Sequence, residues 1–328
     1  MPYRLGYACI NATLRKNHKI RANRRAIKKT YEEKGLPHIG GLIEQNLKDL
    51  HKILEWNVAN NIRVFRMSSD ITPWASEYQW SDLPNHQEVM RLFHKAGQYA
   101  IDNNIRLSFH PGQFCVLSSA TPDIVERSIE EFEYHADMAR WMGFGKTFQD
   151  GCKINVHISG KQGPDGIRKA LPRLSQEARN LITIENDEMG WGLDASLELE
   201  KDLALVMDIH HHWIRDEEYI EPNDDRVKRV IDSWRGVRPT MHYSYSRDEA
   251  LEPAQLGDKT HTEMHNIKDL IARGCKKVKL RSHSDLLPNA KVNDWALSFN
   301  EQFDIQVEAK AKNLAAEQLY RQSQSNII

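Results

Sequence analysis

Six ionisable residues each close a short apolar run in this chain: His110, His157, Glu185, Asp208, His242 and Glu308. A buried parallel strand reads as a near-continuous apolar run, and a charged group at its end is poorly matched to burial unless a metal or a cation meets it. The central instance is Leu181-Ile-Thr-Ile-Glu-Asn-Asp-Glu188, where β-branched residues give way to Glu185, Asn186, Asp187 and Glu188. Asp208 is followed by His210, His211 and His212, and His283 lies in Arg281-Ser-His-Ser-Asp285. Imidazole with carboxylate and no thiolate is the ligand set for Zn²⁺ or Mn²⁺ in a hydrolytic site. These groups exceed the needs of one tetrahedral ion. A cluster of two or three ions sharing a bridging carboxylate would use them all, and such clusters serve phosphoryl chemistry. Singly, each residue has a plainer reading. A strand histidine is commonly a hydrogen-bonded core residue, Glu308 could pair with Lys310, and residues 185–188 could be a solvated loop. What that reading fails to explain is the recurrence of one ionisable group at strand end after strand end.

The elements that must position these groups are visible as alternating patterns. Strands are expected at 4–8, 62–67, 105–109, 153–158, 181–184, 204–209, 240–245 and 303–309. Between them lie helical stretches. One, at 43–56, has Leu47, Leu50, Ile53 and Leu54 at helical spacing. Others run over 84–102, 122–142 (with Pro122 and Asp123 in the first turn), 165–179, 196–202 and 214–233. Strand–helix alternation over the whole length describes a parallel sheet wrapped by helices, and about eight such units point to a TIM-type (β/α)8 barrel. Chemistry in that fold collects at the C-terminal rim of the strands, where the six residues fall. Residues 1–328 read as a single domain. Residues 15–42 and 247–300 are elaborated connections, with 277–280 as an additional strand, and 311–328 is a polar C-terminal tail forming a surface helix with a frayed end.

Composition narrows the partners. The formal net charge of −1 excludes a global basic field for nucleic acid, so any such binding must use a local patch. The cluster Arg15, Lys16, Lys19, Arg21, Arg24, Arg25, Lys28 and Lys29 is a solvated helix face or such a patch. No run approaches a membrane span, and the start Met-Pro-Tyr-Arg-Leu-Gly-Tyr lacks the apolar region of a secretory signal. Four scattered cysteines, Cys9, Cys115, Cys152 and Cys275, form no Cys-x-x-Cys pair, which fits a reducing cytoplasm.

Taken in order, the motifs resemble one family, the UV damage endonucleases (UvdE/UvsE), relatives of endonuclease IV with the same barrel. The resemblance runs from Arg4-Leu-Gly-Tyr-Ala-Cys-Ile-Asn11 to Val307-Glu-Ala-Lys310. Its most specific pieces are Ser108-Phe-His-Pro-Gly-Gln-Phe114, Asn155-Val-His-Ile-Ser-Gly160, Ile184-Glu-Asn-Asp-Glu188 and Asp208-Ile-His-His211. The resemblance implies metal ligation by His110, His157, Glu185, Asp208, His211, His242, His283 and Glu308. Glu185 would be the bridging carboxylate, and Glu185, His110 and His242 the catalytic centre. Among the three adjacent histidines the family pattern Asp-x-x-His selects His211, with His212 as fallback. Gln113 and Phe114 match a Gln-Tyr pair that probes the duplex at the lesion, a sound role for an inserted wedge. Tyr7 and Asn11 match residues near the damaged nucleotides. Lys161, with Arg15 and Lys16, would hold the backbone.

The implied activity is metal-assisted nicking of UV-damaged double-stranded DNA immediately 5′ of a cyclobutane dimer or 6-4 photoproduct, by a monomer using Mn²⁺ or Zn²⁺. Two departures stand out. Some members carry a carboxylated lysine two residues before the counterpart of His242; here that position is Thr240. After Pro73-Trp-Ala-Ser76 a histidine is expected, and Glu77 is found. Three other readings remain open: a general apurinic endonuclease on the same barrel, a metal-dependent sugar isomerase, which also places Glu, Asp and His at strand ends, and a non-catalytic DNA-binding barrel, which predicts lost ligands.

Overall fold

Eight short strands form from the eight apolar runs, in a computed structural model that describes residues 4–325. They are β1 (Leu5–Ala8), β2 (Val64–Arg66), β3 (Arg106–Phe109), β4 (Lys153–His157), β5 (Ile182–Glu185), β6 (Ala204–Asp208), β7 (Thr240–Tyr243) and β8 (Asp304–Val307). Every neighbouring pair is parallel and follows chain order, and β8 pairs back onto β1 to close the barrel. The expected (β/α)8 barrel is the observed fold.

Alternation along each strand sorts side chains into two sets. One set faces the helices. Tyr7 bonds Asn57 in the helix Lys28–Ala59, Phe109 packs on His135 in the helix Pro122–Trp141, and Tyr243 bonds Asn293 in the helix Ala290–Leu297. The other set fills the barrel, and it is unusually polar. Arg66, Asn155, Thr183, Glu185, Asp208, His242, Asp304 and Gln306 belong to it, and all except Arg66 are buried to within a few per cent. The floor is held by one carboxylate. Asp304, fully buried, meets Arg4 at 3.0 Å, Arg106 at 2.9 Å and Arg238 at 2.7 Å. Trp234, Phe148, Ala204 and Val206 form a small apolar cluster there. Polar rim and ion-paired floor are thus separated by a barrel length of buried hydrogen-bonding groups.

Several element boundaries differ from expectation. The helix expected over 43–56 extends over Lys28–Ala59, broken at Gly35 (φ +61°), just before Pro37, so much of the 15–42 connection is helical. The stretch 214–233 is not continuous: Ile209–Asp216 ends where Glu217 turns left-handed (φ +65°), and a second helix runs Asp225–Ser233. Strand β6 stops at Asp208 because its carboxylate caps that first helix, accepting from the His211 N–H at 2.7 Å. Lys277–Leu280 is a single helical turn and no strand. A closed barrel has no free edge for a ninth strand, so the segment settles by burying Leu280 alone. The helix Asn313–Ser325 is more than a polar tail. It buries Ala315, Ala316 and Leu319, and Asn313 accepts the Ala12 N–H across the β1 side of the barrel. Residues 326–328, the expected frayed end, lie outside the described residues. No helix among the described residues is long and apolar enough to cross a membrane.

Candidate metal centre

Glu185 ends β5 with its carboxylate at the centre of a ring of imidazoles. His242 Nδ1 lies 3.0 Å from Oε1, His211 Nδ1 3.4 Å from the same oxygen, and His110 Nε2 3.2 Å from Oε2. Asn155, fixed by Thr183 at 2.9 Å, donates to Oε2 as well. The His157 ring sits 4.9 Å from that of His110 and 5.5 Å from that of His211, centroid to centroid. Glu308, just past β8, meets His242 at 3.3 Å and His283 at 3.8 Å. His283 arrives from the 247–300 connection, pinned by an antiparallel bridge to Ser246. All eight residues that the resemblance implied as ligands therefore converge on one region of the rim.

Donor atoms gather closely enough to hold ions in three groups, each with its atoms within 4.8 Å of one another: His110, His157 and Glu185; His157, Glu188 and His211; Glu185, Asp208 and His242. Buried polar atoms also remain without a protein hydrogen-bond partner, namely His157 Nδ1 and Asp208 Oδ2, with both amide atoms of Gln306. An unpartnered buried polar atom is costly, and a cation beside these donors removes that cost. The donor set, imidazole and carboxylate without thiolate, fits divalent Mn²⁺ or Zn²⁺.

Electrostatics agree. Burial pushes Glu185 upward, yet the charges of His242 and His157 outweigh it and hold the carboxyl well below the usual range. Burial drives Asp208 up to about 7 against the pull of His211. For His211 burial acts downward, but Asp208, Glu185 and Glu188 prevail and raise it to about 9. His157 is pushed down to about 4 by burial. Protons held on His211 and Asp208 must leave when an ion binds, so loading improves as pH rises towards 9. Adding Mn²⁺ to the metal-free protein is expected to raise its thermal midpoint. At free metal near 100 Kd the gain is about 2.7 kcal/mol. If no divalent ion shifts the melt, the cluster is an ion-pair network only.

Two further residues belong to this centre: Arg66, which no sequence pattern marks, and Glu188, which lies in the motif at 185–188 but whose inward direction the sequence does not reveal. Arg66, inside β2, reaches Glu308 and is held charged by it against the effect of burial. Glu188 lies 3.6 Å from His211 and forms an ion pair with Arg281 at 2.5 Å. Its loop is shaped by Asp187, whose side chain accepts from the N–H groups of Met189 and Gly190. The adjoining turn after β4 needs glycine at 160. Its φ is +102°, and a Cβ would lie 2.6 Å from the Ser118 carbonyl.

Other expectations fare differently. Gln113 lines a cavity of about 330 Å³ over the cluster, together with His110, His157, His211, Arg281, His283 and Glu308. Phe114 is 80% exposed and lines the neighbouring cleft with Glu77 and Tyr134, so the pair straddles the ridge between the two hollows. Lys161 is exposed beyond β4. Tyr7 and Asn11, expected near damaged nucleotides, are instead buried: the Asn11 amide donates to the Tyr7 hydroxyl, which donates to Asn57. Tyr7 occupies an outward position of β1, so neither side chain reaches the cavity. His212, the fallback ligand, faces away and pairs with Asp216 and Glu218. Thr240 sits at the floor, accepting from Arg106 at 3.2 Å, below the cluster. Arg24 and Arg25 are committed to Asp49 and Asp70, while Arg15 and Lys16 stay exposed.

Comparison with known proteins places this geometry. The profile of the family described as UV-endonuclease UvdE matches residues 3–327. A putative UV-damage endonuclease of Acanthamoeba polyphaga mimivirus is 33% identical, over 74% of this chain and 75% of that protein. The UV-damage endonuclease of Schizosaccharomyces pombe is 29% identical over 97% of this chain, which spans 50% of its length. Among solved structures, SacUVDE superposes with a TM-score of 0.75 at 23% identity, covering 97% of each chain. A xylose isomerase-like TIM barrel protein from Mycobacterium smegmatis, in complex with magnesium, gives a TM-score of 0.51 at 12% identity over 99% of this chain and 98% of that one, a likeness of fold. The chain belongs to the UV-endonuclease UvdE family.

Proposed function

We propose that this chain nicks UV-damaged duplex DNA at the phosphodiester immediately 5′ of a cyclobutane pyrimidine dimer or a 6-4 photoproduct, leaving a 3′-hydroxyl. What supports the reading is one coincidence: a family match over residues 3–327 together with a full His and carboxylate cluster at the barrel rim. Residues 4–325 act as one unit, a monomer working in a reducing compartment, in keeping with four cysteines that are all free.

His110, His157, Glu185, Asp208, His211, His242, His283 and Glu308 would hold divalent ions, Mn²⁺ in our assignment and Zn²⁺ as the alternative. Such ions supply the Lewis acidity that activates water and offsets charge on the departing oxygen. The protein's share is placement. Glu185 stays anionic among the imidazoles, and His110 and His242 are held on its two oxygens, so the catalytic groups keep one geometry through the cut. Arg66 neutralises Glu308 and keeps that carboxylate at the rim. Water adds to phosphorus as the bond to the 3′-oxygen breaks. DNA at a photoproduct kinks at lower cost than normal duplex, and Gln113 and Phe114 exploit that difference by entering the stack from the ridge. Lys161, Arg15 and Lys16 track the backbone from outside the cavity.

The test uses a labelled duplex with one pyrimidine dimer and an undamaged twin, each with metal-free protein and then with Mn²⁺ restored. A metal-dependent nick just 5′ of the dimer and none in the twin is expected. No cut in either, with folded and loaded protein, would sink the reading. In the same assay Phe114→Ala should lower dimer incision on the order of tenfold or more through KM, because loss of base–aromatic stacking costs about 1–3 kcal/mol. Fold stability should stay put, since the ring is 80% exposed.

A further inference from the structure

Arg281 is the sole Lys or Arg among the described residues lining the cavity over the cluster. Around it that cavity is acidic and imidazole-rich, with Asp187, Glu188 and Glu308 on its wall. A phosphodiester entering such a space meets carboxylates on several sides and needs a cation besides any ions at the floor. The guanidinium is well suited to that part. Its side chain is 46% exposed, so it is not locked inside the fold, yet Glu188, only 5% exposed, holds it at 2.5 Å. One guanidinium nitrogen makes that contact, and the fork carries five N–H donors in all, enough for a bidentate grip on phosphate. Delivery is also fixed. His283 is two residues on and pinned to Ser246, while the Arg247 N–H donates to the Ser282 carbonyl at 2.9 Å. The backbone that brings a cluster histidine to the rim therefore brings Arg281 as well.

We propose that Arg281 is a phosphate clamp for the DNA strand in this cavity, and that Glu188 is its positioning residue. The 247–300 connection thereby gains a role in substrate binding that the barrel strands do not supply. This proposal rests on the nuclease reading above, and the experiment separates the two. Binding of a fluorescent duplex with one pyrimidine dimer, and of its undamaged twin, is measured in chelator across a salt series for wild type, Arg281→Gln and Arg281→Lys. Each phosphate neutralised contributes a slope of about −0.9 in log K against log salt. Arg281→Gln should flatten the slope by about one contact and weaken both duplexes alike, roughly three- to tenfold near 0.1 M salt. Arg281→Lys should restore the slope while recovering only part of the affinity, since a lysine cannot grip two oxygens at once. Glu188→Gln should weaken binding with the slope kept, because the charge remains but its aim is lost. An unchanged slope in Arg281→Gln, or a loss confined to one duplex, would overturn the clamp. If wild type binds neither duplex, the nuclease reading itself fails and the clamp with it.

Discussion

Replacing Glu185 by Gln is expected to lower dimer incision on the order of 10³-fold in kcat, equivalent to about 4 kcal/mol of barrier. No other side chain touches so much of the site: three histidines lie within 3.4 Å of its oxygens and Asn155 donates to one of them. The amide is nearly the same size, so packing survives, but it bears no charge and has one acceptor oxygen where the carboxylate has two. Two of the three donor groups include Glu185, so both lose a shared anionic donor together. Metal content per chain should therefore fall in parallel with rate, read by elemental analysis after gel filtration, with the circular dichroism spectrum unchanged. Full activity in Glu185→Gln at saturating Mn²⁺ would show that another carboxylate bridges.

Asp304→Asn should have the largest effect on stability. The carboxylate is fully buried beneath the barrel and faces Arg4, Arg106 and Arg238 within 3.0 Å. Removing one member of a buried charged group leaves the rest uncompensated, typically at a cost of about 3–5 kcal/mol. Here three guanidiniums share one anion, although Arg238 keeps bonds to the carbonyls of Asn300, Glu301 and Phe303. Urea unfolding should show a lower midpoint with an unchanged slope. A loss under about 1 kcal/mol would mean that solvent reaches the floor and that the network is dispensable. Incision by the surviving folded fraction should be near normal, since the floor lies a strand's length from the rim.

Both results depend on features that differ in how readable they are from sequence. Strand ends were legible because a buried parallel strand is an apolar run, and its termination in His, Glu or Asp is visible without coordinates. His110, His157, Glu185, Asp208, His242 and Glu308 are all marked by such an ending. Which of three consecutive histidines turns inward was not visible from the runs. Helix geometry decides it: with Asp208 as cap, His211 points back over the cap towards Glu185, and His212 turns outward to Asp216 and Glu218. The resemblance supplied that choice. Parity explains the correction at Tyr7: a one-residue difference along β1 sends a side chain to the helices instead of the barrel axis. Glu188 lay in the first motif singled out, but its direction depends on a loop turn made by Asp187. The ion-paired floor is not legible in the sequence because its partners, Arg4, Arg106, Arg238 and Asp304, are far apart in the chain. The single turn at Lys277–Leu280 is likewise a tertiary outcome, set by the absence of any sheet edge to join.

Closure of the barrel in strict chain order has a consequence for how the protein comes into being. Seven of the eight cluster residues are synthesised before β8, yet Arg66 and His242 meet Glu308 only when the last strand seats between β7 and β1. A growing chain that ends before residue 304 carries nearly every residue of the cluster and none of the enclosure that aligns them. Tight ion capture should therefore appear abruptly, once β8 has been made and seated, as a signature of barrel closure. An unfinished chain would lack the assembled cluster, and with it the geometry that cutting requires.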